Sequence, residues 1–149
     1  MRINSILLII LLTVLYACGN DPEQIIFGED NCDRCKMMIT DEKFGAELVT
    51  DKGKIYKYDA VECLLEQLHA ESFTDNQIGS MWVIDFSQPR LLIDAKKSFY
   101  LKNDNFRSPM GLNVMAFQNE NDFDEFYKKH GGERLDWNKL MKYAGTMQQ

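Results

Sequence analysis

Histidine is nearly missing from this chain, with two in 149 residues, and proline is scarce at three. There is no Ser-His-Asp set and no phosphate-cradling glycine loop. No carboxylate pair stands above the general surface acidity, so the sequence carries no catalytic signature and is read as a non-enzyme. Basic residues are outnumbered, 17 against 23 acidic, giving a formal charge of −6. Such a chain lacks the electropositive face that a phosphate backbone demands, which argues against nucleic acid as a partner. Also lacking is an apolar run of the roughly 20 residues that a membrane-spanning helix needs. What remains is the length and composition of one globular domain, 45% hydrophobic and 27% charged.

The longest apolar run, Ile6 to Leu15, follows Arg2 and is followed by small residues. That order of charge, apolar stretch and small residues is the layout of a secretory signal. It ends in "LYAC", residues 15–18, which resembles the lipobox of bacterial lipoproteins, where the cysteine becomes the acylated first residue of the mature chain. The expectation is a lipoprotein signal peptide over 1–17 and lipidation at Cys18. The domain would then sit on the periplasmic side of a cell membrane, cytoplasmic or outer. With Cys18 acylated, three thiols remain: Cys32, Cys35 and Cys63. An odd number in an exported chain cannot all pair internally, so at least one is free, metal-bound or intermolecular.

Residues 18–30 are polar and read as a tether. "FGAELVT" (44–50) and "KIYKYD" (54–59) read as strands of a hairpin, with Gly53 free to take positive φ in the turn. "DAVECLLEQLHAE" (59–71) reads as a helix, its stripe formed by Val61, Leu64, Leu65 and Leu68, with Asp59 as N-cap and Glu62 completing an acidic capping box. Further strands are expected at "MWVIDF" (81–86), "LLIDA" (91–95), "SFYL" (98–101) and "VMAF" (114–117). A second helix carries Phe123, Phe126 and Tyr127 on one face and stops at Gly131. Strand pairs closed by a helix, twice, predict an α+β domain over 31–149. Its two small ββα-type units would run over about 31–72 and 80–132, with antiparallel pairing implied by the short turns.

The chemistry concentrates in "CDRCKMMITD" (32–41). Thiolate and thioether donors together suit soft cuprous copper, whereas zinc prefers thiolate and imidazole. If the stretch is extended, Cys35 and Met37 at i and i+2 project to one side and can converge on one ion. Other readings stand beside this one. A Cys32–Cys35 disulfide fits an oxidising compartment and would make a membrane-anchored thiol–disulfide protein. Zinc would have to draw on Cys32, Cys35, Cys63 and His69, but Cys63 and His69 do not share a helical face. Met38 reads as packing. Cys63, in the first helical turn, is either an auxiliary ligand or a packing residue. Met110, in the turn "SPMG", is either a third thioether donor or a cap on the core.

These residues, taken in order, resemble the NosL family: "CDRCKM", a hairpin, "YDAVECLL", "MWVIDF…LLIDA", "SPMG", "AF" and "GG", behind a lipobox. The resemblance implies two ββα units related to the organomercurial-lyase fold. It implies a Cu(I)-binding accessory lipoprotein that serves assembly of the copper–sulfide centre of nitrous oxide reductase in denitrification. The partners implied are the apo reductase and an ABC-type copper/sulfur maturation transporter complex. Carried onto this sequence, the family's Cys-x-Met motif falls on Cys35 and Met37, and its Pro-Met-Gly methionine on Met110. Cys32 and Cys63 are secondary candidates. Lys36 stands where the family commonly has glycine.

Overall fold

The computed structural model describes residues 19–70 and 73–146, so the expected signal peptide and Cys18 lie outside the described residues. The chain forms β1 (Ala46–Thr50), β2 (Ile55–Tyr58), α1 (Val61–His69), a 3-10 turn (Asp75–Gln77), β3 (Ile78–Ile84) and β4 (Leu92–Asp94). Then follow β5 (Phe99–Lys102), β6 (Val114–Phe117), α2 (Glu120–His130), β7 (Glu133–Leu135) and α3 (Trp137–Thr146). The α+β class and the antiparallel pairing are those expected from the sequence. No helix among the described residues is long and apolar enough to cross a membrane.

The strands are shared out differently from two equal hairpin units. β3 pairs with both β1 and β4, giving a four-stranded sheet in the order β2-β1-β3-β4, while β5 is the centre of a second sheet, β6-β5-β7. Strands expected to open a second unit at residue 80 therefore complete the first sheet. A parallel bridge between Asp85 and Ala116 joins the two sheets. Buried Asp85 holds that joint, accepting from the Ser87 and Gln118 amides at 2.8 and 3.2 Å.

The apolar stripe of α1 is the one the periodicity marks: Val61, Leu64 and Leu65 are buried and Leu68 half-buried, against Leu48 and Tyr58. Its cap corrects the expectation. The N-cap is Ala60, in extended conformation with no side-chain cap, and Asp59 lies one residue outside the position from which it could bond the first turn. Glu62 consequently makes no capping box; its carboxylate turns into the core instead. α2 begins at Asn119, whose Oδ1 accepts from the Asn121 amide, and stops at Gly131 with φ 68°. Its Phe123 and Phe126 join Phe86 and Phe117 in a second, aromatic core with ring centroids 5.4–5.9 Å apart, a spacing suited to tilted and edge-to-face contacts.

The stretch 18–30, expected as a polar tether, is docked over its described length. The Asn20 carbonyl accepts from the Ser80 hydroxyl at 2.5 Å, and the Glu23 amide donates to Glu47 at 3.1 Å. The Gln24 carbonyl accepts from Lys57 Nζ at 3.2 Å. Ile25 is buried, its Cδ1 set close over Gly45. Gly45 is required there, because a side chain at that position would meet Ile25 and Ile84 at 3.0–3.2 Å. The physical reason for the docking is apolar burial: Ile25 enters the core and half-buried Phe27 packs against it, while Ile26 stays exposed.

Candidate metal centre

Residues 28–39 fold into a tight hairpin. The Gly28 amide bonds the Ile39 carbonyl, the Ile39 amide bonds the Asp30 carbonyl, and the Cys32 amide bonds the Met37 carbonyl, all at 2.8–2.9 Å. Asp33 staples the hairpin to the end of β2: its amide donates to the Lys57 carbonyl at 2.8 Å, and its carboxylate accepts from the Lys57 amide at 2.9 Å. The chain then turns through Lys36, which takes a left-handed φ of 65°. Such a value strains any residue with a Cβ and suits glycine. The segment is thus not extended at Cys35–Met37, and strand alternation does not set the relation between those two side chains.

The staple carries Cys32 and Cys35 onto the amino end of α1, where Cys63 lies in the first turn. The three Sγ atoms lie within 4.8 Å of one another. All three are free thiols; Cys32 and Cys63 are fully buried, and Cys35 is half-buried at the rim. The Cys35 amide donates to Cys32 Sγ at 3.4 Å. Acidity is divided unevenly among them. The Cys63 thiol donates to Cys32 and holds it down at about 5, against a desolvation penalty, with amides of Cys35 and Asp59 helping. The same contact, with burial, pushes Cys63 far up, and burial raises Cys35. The cluster therefore holds one thiolate and two thiols near neutral pH. Asp59, also buried beside it, is raised to about 6 by burial and by the charge on Cys32.

The methionines are placed as follows. Met37 is about half exposed at 47%, directly across the hairpin from Cys32. Met38, expected to pack, is instead exposed at 51%, because the hairpin turns its side chain outward while Ile39 takes the core position. Met110 is half-buried, resting on the core that also contains Cys32 and Cys63, and it borders an open depression of about 560 Å³ with Arg107 and Pro109. His69 is engaged elsewhere, with Nε2 2.8 Å from the Met141 carbonyl, and His130 packs on Phe106 and Phe126.

The residue that sequence reasoning missed is Glu62. Its Oε1 accepts from the Ser108 hydroxyl and, at 3.2 Å, from the Leu112 amide. Ser108 in turn accepts from the Asn113 amide at 2.8 Å. The neighbour of Cys63 thereby pins the 108–112 turn that carries Met110. An acidic residue on the apolar-rich start of a helix was the available signal, and its partner 46 residues away was not legible.

Fold and site together define a small α+β domain with a sulfur-only donor cluster at a helix start. The chain belongs to the NosL family, whose family model matches residues 24–144. No curated protein matches the sequence. The fold is similar to that in the crystal structure of the copper chaperone NosL from Shewanella denitrificans, with a TM-score of 0.67 and 21% identity over 78% of this chain and 93% of that one.

Proposed function

We propose that this protein is an exported, lipid-anchored Cu(I) metallochaperone that delivers copper for the copper–sulfide centre of nitrous oxide reductase. The observation that carries the reading is the convergence of Cys32, Cys35 and Cys63 within 4.8 Å, with Cys35 alone reaching the surface. Cu(I) is soft and takes two or three sulfur donors readily. The Cys32 thiolate offers the first bond without proton loss, and each further thiol that binds releases one proton to solvent. Met37 and Met110 are the thioether candidates, neutral donors that hold the ion without adding charge. An exposed rim of Cys35 and Met37 lets a receiving site replace donors one at a time, so copper passes without becoming a free ion. Family membership and the likeness in fold to a copper chaperone agree with copper as the cargo. The apo reductase and an ABC-type maturation complex are the proposed partners, met on the periplasmic side of the membrane.

The test is an anaerobic Cu(I) titration against a competing chelator, on the native chain and on Cys35→Ser, Met37→Leu, Met110→Leu and Cys63→Ser. One tightly bound Cu(I), weakened by roughly 100-fold or more in Cys35→Ser, is the expected result. Affinity unchanged in all four variants would sink the reading. The nearness of Cys32 to Cys35 also favours a second reading, thiol–disulfide exchange. One free thiol per chain in the active, copper-free protein would establish it instead.

A further inference from the structure

The first sheet has two distinct ends. Along β1, Ala46 lies opposite Tyr58 and Val83, whereas Val49 lies opposite Ile55 and Ser80. Three residues of strand separate these levels, about 10 Å. The thiol cluster lies beyond the Tyr58 end, since the hairpin that carries Cys32 and Cys35 is stapled at Lys57 and α1 begins at Val61. The docked amino-terminal segment starts at the other end. Asn20 sits over Gly79, close enough that a Cβ there would meet its side chain at 2.8 Å, and bonds Ser80. From there the segment crosses the outer face past Glu47 and Lys57 to Ile25 over Gly45.

We propose that residues 20–27 form a strap that orients the domain on a lipid bilayer, holding the Ser80 end of the sheet to the membrane and turning the thiol cluster away from it. This rests on the lipoprotein reading of Cys18. Between Cys18 and the docked Asn20 the chain spans at most about 7 Å. A free tether of the expected 18–30 length would wander over about 20 Å and leave the domain unoriented. The end brought to the lipid carries Lys52, Lys54, Lys96 and Lys97, all exposed, set against Asp21, Asp51, Asp75 and Asp94. It is therefore close to neutral in a chain of formal charge −6, and anionic lipid does not repel it as it would the rest of the surface. A copper-receiving partner then approaches from the aqueous side, unobstructed by the bilayer.

The full-length chain, matured in cells and reconstituted into phosphatidylethanolamine–phosphatidylglycerol vesicles with nitroxide-labelled headgroups, tests this. A fluorescent amino acid is encoded at position 97 or, near the thiols, at position 38. Quenching at 97 should exceed that at 38 several-fold, and a flexible Gly-Ser insertion of about 20 residues between Cys18 and Gly19 should level the two. Equal quenching at both positions in a chain whose mass shows acyl groups on Cys18 overturns the strap and leaves the lipoprotein reading standing. An asymmetry that survives the insertion also overturns it. A mass without acyl groups overturns both.

Discussion

Glu62 and Ser108, 46 positions apart, share a buried hydrogen bond that fastens the turn carrying Met110 to the helix turn carrying Cys63. The second oxygen of Glu62 has no partner among the described residues. Burial raises its carboxyl above the usual range. The bond is thus a specific clamp made at some electrostatic cost.

Removing the clamp should loosen one donor and not the others. Glu62→Ala leaves the Leu112 amide and the Ser108 O–H without their acceptor and should cost about 2–3 kcal/mol in urea denaturation. Glu62→Gln keeps an acceptor and should stay within about 1 kcal/mol of the native chain. If the clamp positions Met110, Glu62→Ala weakens Cu(I) binding by about tenfold in the native background and not at all with Met110→Leu present. Equal losses in both backgrounds would assign Glu62 a purely structural part.

Glu47 sets a pH dependence of stability. It is fully buried in the middle of β1, accepts from the Glu23 amide, and is raised by burial to about 7, from 4.5. The folded state holds its proton where the unfolded chain has lost it. The associated stability is complete below pH 4.5 and is lost as pH rises through 7. The loss amounts to at most about 3 kcal/mol. Glu47→Gln should flatten this slope in denaturation curves taken across that interval. An unchanged slope would place the dependence elsewhere.

Lys36 should be the most easily improved position in the site. With φ at 65°, glycine relieves the strain of a left-handed Cβ. Lys36→Gly should stabilise the fold by about 0.5–1 kcal/mol, and Lys36→Val should destabilise it by about 1–2 kcal/mol. Thermal melting distinguishes these signs. A glycine variant less stable than the native chain would show that the bond from Lys36 Nζ to the Asp33 carbonyl outweighs the strain.

The thiolate of Cys32 should be visible directly. Ultraviolet thiolate absorbance should correspond to one thiolate per chain at pH 7, disappearing as pH falls through about 5. Because the folded thiol is more acidic than the unfolded one, its contribution to stability is present above pH 9 and is lost as pH falls through about 5. Cys63→Ala removes the donor to Cys32 and should move the transition upward. A transition that stays in place would reassign the acidity to the amides of Cys35 and Asp59.

Much of the scaffold could be read from pattern alone. The stripe of α1, the aromatic face of α2, the glycine stop at Gly131 and the hairpin at Gly53 are all local signals, and each stands where periodicity or turn chemistry puts it. β7 carries no such signal, since only Leu135 of its three residues is buried and no alternation results. The membership of β3 in the first sheet depends on pairing with β1 some thirty residues earlier, and hairpin logic favours nearer partners. The same limit applies to the site. "CDRCKM" announces sulfur chemistry, but bringing Cys63 to it requires the Asp33–Lys57 staple and the start of α1, both set by tertiary packing.

The docked amino-terminal segment also bears on where the gene can be cut. A soluble version begun at residue 31, the boundary that composition alone recommends, would discard Ile25 from the core and strip the Glu23 amide from Glu47. It would open the Glu47 carboxyl to water and bare the apolar surface that Ile25 covers. Begun at Gly19, the same domain keeps its own cover, and solution work on its thiol cluster then reports on the native fold.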